Sequence, residues 1–268
     1  MVAGASMNAD LSPRRSPPAF FLLIFVLSLP FLLFAGTPLP GPLNLPVSAL
    51  MLICPALAAA ILAWREEGAG GVRHLFARVV DYKKIRAVWY LPLLLLMPAI
   101  MLLSYAALLL LGRPLPADPF VPYLLLPVFI LLFFITAIGE ETGWTGYATD
   151  PLQERWSALT TALVLGTVWA VWHLLPWVLL NTPAWAAGQS LSTVALRVLI
   201  IWLYNNANGS VFAATLFHSM VNVAELSFPN YGSHYDPVVS GAITAMVAVV
   251  VTLLWGAETL ARFRYARR

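Results

Sequence analysis

The chain has 268 residues, 60% of them hydrophobic and only 10% charged, with a mean hydropathy of +0.82. Soluble domains carry about 25% charged residues, and a surface this apolar does not stay dissolved in water, so a soluble domain is excluded. The single cysteine, Cys54, excludes a disulfide framework, and the net charge of +3 is distributed as membrane topology requires rather than as a nucleic-acid footprint.

A bilayer span needs roughly 20 mostly apolar residues. In chain order, candidate spans fall at 19–35, 45–64, 87–111, 120–138, 158–180, 191–204, 211–226 and 238–260. The sixth is short and contains Arg197. Pro30, Pro55, Pro98, Pro127 and Pro176 lie within these runs, which a membrane tolerates where neighbouring helices re-satisfy the freed backbone groups. The first run follows Arg14 and Arg15 but is not followed by a small-residue cleavage site, so it is expected to be retained. The expected architecture is an all-α, polytopic transmembrane helical bundle of about eight spans. Residues 1–18 form an N-terminal tail, 19–260 the transmembrane domain and 261–268 a basic C-terminal tail.

The basic residues set the orientation. With both termini cytoplasmic, Arg14, Arg15, Arg65, Arg73, Arg78, Lys83, Lys84, Arg86, Arg155, Arg262, Arg264, Arg267 and Arg268 face inward, and only Arg113 faces outward. The stretch 66–86 reads as an interfacial helix on the inner leaflet. The outward loops 181–190 and 227–237 are too short for an ectodomain. A multi-pass protein of a bacterial cytoplasmic membrane is the expected setting.

Ionisable and amide groups at membrane depth are costly and ask for a partner or a task. They are Glu140 and Glu141 at the end of span four, His173 in span five, Arg197 in span six, and His218, Asn222 and Glu225 in span seven. Each has a plain structural reading. Glu140-Glu141 can be a solvated helix end, and His173 a packed histidine. His218 and Asn222, four apart on one face, can hold helices together by hydrogen bonds. Glu225 sits where it can reach water, while Arg197 either snorkels or pairs with a carboxylate. Taken together, the chemistry is complementary. A carboxylate can take a proton from water, an imidazole can orient that water, and a second imidazole with an amide can donate to an oxyanion. No serine or cysteine stands in a comparable context, which points to direct attack by water.

The run Glu140-Glu141-Thr142-Gly143-Trp144-Thr145-Gly146-Tyr147 resembles the first motif of the CPBP family, the CAAX-type and bacteriocin-processing (Abi-like) intramembrane proteases. Trp169-Ala170-Val171-Trp172-His173 resembles the second motif, and His218-Ser219-Met220-Val221-Asn222 the third, His-x-x-x-Asn. The resemblance spans about residues 120–226. It implies an intramembrane endopeptidase acting on a membrane-associated protein or lipidated peptide, with no nucleic acid involved. In such an enzyme Glu140 is the general base, helped by His173, His218 and Asn222 hold the oxyanion, and Glu141 is structural or auxiliary. The family motif has arginine where this chain has Thr145, which removes a bidentate partner for a carboxylate.

No cofactor is required in that mechanism. Zinc held by Glu140, His173 and His218 is the alternative, although the H-E-x-x-H signature is absent. Two other functions compete: a catalytically inactive immunity or scaffold protein of the same fold, favoured by Thr145, and a proton-coupled transporter. Span counting leaves Glu140 at the inner boundary and both histidines nearer mid-membrane. Span four is therefore expected to tilt, or the segment 140–150 to fold back into a protein-lined cavity open to the cytoplasm. Asp150-Pro151 would then be the cap and first position of the next helix.

Overall fold

The computed structural model describes residues 15–40 and 45–261. Most of both tails lies outside the described residues, including Arg14, Arg262, Arg264, Arg267 and Arg268 of the topology count. The described residues are helical, with one isolated β-bridge between Pro38 and Pro46. Nine helices follow in order: α1 (Pro17–Leu33), α2 (Cys54–Ala77), α3 (Tyr90–Leu110), α4 (Leu126–Gly143), the single turn α5 (Asp150–Gln153), α6 (Ala158–Leu180), α7 (Pro183–Asn206), α8 (Val211–Ser227) and α9 (Pro237–Trp255). Among the described residues six helical runs are long and apolar enough to cross a membrane. The shorter apolar helices α1 and α8 bring the number of spans to the expected eight.

Local chemistry fixes where the helices start. The side chains of Ser16, Ser157, Thr182, Ser210 and Asp236 accept from first-turn N–H groups of α1, α6, α7, α8 and α9, which satisfies donors that no helix can pair internally. Pro55 and Pro127 lie within spans as expected, but in the first turns of α2 and α4, so they break nothing. Pro30, Pro98 and Pro176 are inside their helices.

Three boundaries differ from the sequence expectation. The stretch 66–86 is not a separate helix: α2 runs on to Ala77 across a kink at Gly68, whose φ of 66° suits glycine, and short 3-10 turns complete it. The sixth span is not short, since α7 begins at Pro183 and has 24 residues. Nor does span four end at Ile138. It continues through Glu140 and Glu141 into a π-helical turn, Trp144–Thr149, and then α5, an apolar run of 31 residues from Tyr123 to Gln153. Glu140 therefore sits within a long span instead of at its end, and the expected fold-back of 140–150 does not occur. Asp150 does not cap the next helix either; Ser157 does, and Asp150 is used elsewhere.

The core is organised around α7, which packs against α6, α8 and α9, while α4 packs against α2 and α8. The most apolar window of α7 is 78% buried, against 11% for that of the run containing α4. So α7 is the central helix, and the leading half of α4 faces outward. Glycines let the backbones touch. A Cβ on Gly188 of α7 would lie 2.6 Å from Val238 N, and one on Gly241 of α9 would lie 2.6 Å from Gly188 O.

Candidate active site

The trailing half of α4 is the part that dives into protein. From Glu140 to Thr149 every residue is buried. Its two carboxylates nevertheless meet different surroundings. The Glu141 side chain is fully buried. Its Oε2 accepts from Arg197 Nη1 of α7 at 2.9 Å and from the Thr145 hydroxyl, and its Oε1 lies 2.9 Å from His218 Nδ1 of α8. An ionised carboxylate only accepts, so this contact places a proton on Nδ1 of His218. Glu140 keeps 12% of its side chain accessible. The indole Nε1 of Trp169 on α6 donates to its Oε2 at 2.8 Å, and His173 Nε2 stands 3.7 Å from the same oxygen, beyond hydrogen-bond length. Among the described residues no side chain donates to Oε1 of Glu140.

Trp169 joins the two halves. Its ring lies under the Arg197 guanidinium, 4.3 Å from the centroid, and edge-on to His218 at 5.1 Å. His173, one turn further along α6, is stacked on Trp177 at 5.1 Å and keeps 27% of its side chain accessible. The structure thus brings Glu140, Glu141, His173 and His218 together from three helices. Asn222 follows His218 by one turn of α8, half-buried, with no hydrogen bond to another described residue. Glu225, expected in water, is half-buried and accepts from the Tyr235 hydroxyl at 3.2 Å, which also donates to Gln189. As a donor set for zinc, Glu140, His173 and His218 do not form a ligand cluster. Among the described residues no group of three His, Cys, Asp or Glu is placed to hold a metal ion.

The π-helical turn has its own support. Five residues beyond Gly146 stands Pro151, which has no N–H to offer the Gly146 carbonyl. Two arginines supply the missing donors, Arg78 Nη1 at 2.8 Å and Arg15 Nη1 at 3.0 Å. Arg78 also pairs with Asp150 at 2.9 Å and contacts the Tyr204 hydroxyl, which donates to Asp150 at 2.6 Å. Tyr147 is tied to Ser16 and Glu66. The basic residues read as topology signals are here the clamp that holds the helix beyond the two glutamates.

Sequence reasoning left two site residues without a role. Trp169 was visible only as a motif aromatic, although its spacing of four from His173 puts both on one face of α6. Arg197 was the one charge in its run, and the pairing alternative holds: it is fully buried against Glu141. Its Nη1 lies 3.5 Å from Thr145 Oγ1, so a guanidinium from α7 stands beside the position, in the π-helical turn, where the motif it resembles carries one. The large apolar cavity, about 510 Å³, lies elsewhere, between α3, α4 and α8 and the turn after α8. It is lined by Met101, Tyr105, Ile130, Met220 and Phe228, not by the glutamates.

Residues 122–224 match the family model for Rce1-like, type II CAAX prenyl endopeptidases. The chain is also 26% identical over 236 residues to a protein of Methanococcus maripaludis named CAAX prenyl protease 2, covering 79% of this chain and 84% of that one. The matched stretch contains all three motifs, from Glu140 to Asn222. The resemblance to the CPBP proteases is borne out.

Proposed function

We propose, from the CAAX-type endopeptidase match, that this multi-pass membrane protein hydrolyses a peptide bond of a membrane-associated, prenylated protein, using water activated by Glu140. The observation that carries the reading is the division of labour between adjacent carboxylates. Glu141 is fully buried and compensated by Arg197, whereas Glu140 is held by a neutral indole and keeps accessible surface. Water bound at Oε1 of Glu140 gives up a proton to it as the oxygen attacks the scissile carbonyl. His173, beside the same carboxylate, orients that water. His218, protonated on both ring nitrogens and donating Nδ1–H to Glu141, donates Nε2–H to the forming oxyanion, and the Asn222 amide one turn away supplies a second donor. Glu140 then returns its proton to the leaving amine. The reading places both termini and the basic Arg15–Arg78 end on the cytoplasmic side, where prenylated substrates reside.

The test compares membranes of cells expressing wild type and Glu140→Gln at matched levels, with protein termini sequenced by mass spectrometry. New termini confined to wild type are expected. Identical termini, with both proteins folded, would favour an inactive scaffold of the same fold. A smaller effect follows from the indole. Trp169→Phe keeps the ring but removes the donor to Glu140, and hydrogen bonds to charged groups contribute about 1.5–3 kcal/mol. Cleavage of a prenylated peptide in lipid vesicles should fall by about tenfold or more, and an unchanged rate would remove Trp169 from the site.

A further inference from the structure

Arg197 is a guanidinium at 0% exposure in the middle of the most buried helix, within a stretch where every residue from Ala195 to Tyr204 is buried. Charge at that depth is retained where it has a task. Among the described residues its only ionic partner is Glu141, and its Nε and Nη2 have no hydrogen-bond partner. It touches no accessible surface and so cannot contact a substrate. What it can do is act through its neighbours. It fixes Oε2 of Glu141 together with the Thr145 hydroxyl, which leaves Oε1 aimed at Nδ1 of His218. Its Cζ lies over the Trp169 ring, 4.3 Å from the centroid, and the Nε1 of that ring holds Glu140.

We propose that Arg197 is the positioning residue of this site: a guanidinium contributed by α7 holds Glu141 and, through it, sets the orientation of the His218 imidazole. The proposal rests on the hydrolytic reading above for its kinetic consequence, but not for its structural one. Because Arg197 Nη1 lies 3.5 Å from Thr145 Oγ1, a guanidinium introduced at position 145 occupies nearly the same space and should replace it.

The experiment uses the full chain in lipid nanodiscs, with a prenylated peptide as probe. Arg197→Met should lower kcat by about 100-fold, the loss that misplacing a reacting group by about 1 Å produces, with KM within about twofold. Adding Thr145→Arg to that variant should recover most of kcat. In a Glu141→Gln background Arg197→Met should have little further effect, since the two act as one unit. A general loss of packing would instead resist rescue by Thr145→Arg and would add to Glu141→Gln, and either result overturns the proposal. The second readout needs no turnover. In protein carrying ¹⁵N-histidine, the hydrogen-bonded Nδ1 proton of His218, assigned by its loss in His218→Gln, should vanish in Arg197→Met and return with Thr145→Arg. If wild type cleaves nothing, the hydrolytic reading fails and this signal alone decides the role of Arg197. A signal indifferent to Arg197→Met overturns it.

Discussion

Glu141→Ala is expected to cost about 3–5 kcal/mol of stability, the range observed when one partner of a buried ion pair is removed and the other charge is left uncompensated. Both Glu141 and Arg197 are at 0% exposure, and the carboxylate also accepts from Thr145 and engages His218. Its loss therefore strands the Arg197 charge and two further polar groups. The neighbouring change, Glu140→Gln, is expected to stay within about 1 kcal/mol of wild type, because Glu140 is partly accessible and a glutamine oxygen can still accept from Trp169. Denaturation midpoints in one detergent would compare them. Glu141→Ala combined with Arg197→Met should regain most of the lost stability, since an apolar replacement of a whole buried pair is often neutral. Equal destabilisation by Glu140→Gln and Glu141→Ala would show that the two carboxylates are not divided between support and chemistry.

A second large effect should come from a methyl group. Gly139 and Gly143 lie one turn apart on α4 and face the start of α2. A Cβ at Gly139 would lie 2.5 Å from Leu52 O, and one at Gly143 would lie 2.5 Å from Pro55 O and 2.8 Å from Phe20 Cζ. The obstacles at both positions include backbone oxygen, which cannot rotate away. Gly143→Ala must therefore push α4 off α2, at about 1–3 kcal/mol for overpacking. Because Gly143 directly follows the Glu140–Glu141 pair by two residues, that shift moves both carboxylates, and cleavage should fall about 100-fold. Gly70→Ala is the control. It lies in α2, the helix that α4 packs against, but nothing lies within 4 Å of its added Cβ, and it should be neutral or stabilising by up to about 1 kcal/mol. Wild-type activity in Gly143→Ala would mean that the helix contact does not position the site.

The sequence by itself determined the membrane class, the all-helical bundle, the number of apolar helices and the four residues of the cluster, Glu140, Glu141, His173 and His218. Apolar run length reports directly whether a segment is soluble in lipid, so α6 was read over its full extent, 158–180, although its cap is Ser157 and not the expected Asp150. The residues Glu140, His173 and His218 were legible because a buried ionisable group stands out against hydrocarbon. Hydropathy failed where polar residues are buried in protein instead of exposed to water. Glu140, Glu141, Thr142, Thr145 and Thr149 read as the end of a span, yet all are buried within one continuous run. Gln189, buried in protein, helped to hide the first turns of α7, 183–190, in the same way. A polar residue satisfied by another helix looks, in one dimension, like a residue satisfied by water. Only the tertiary structure decided which carboxylate Arg197 meets, 56 positions away, and therefore which glutamate is left free. That choice depends on how α7 crosses α4 and α6, through close backbone contacts such as Gly166 against Val194, and local sequence carries no record of it.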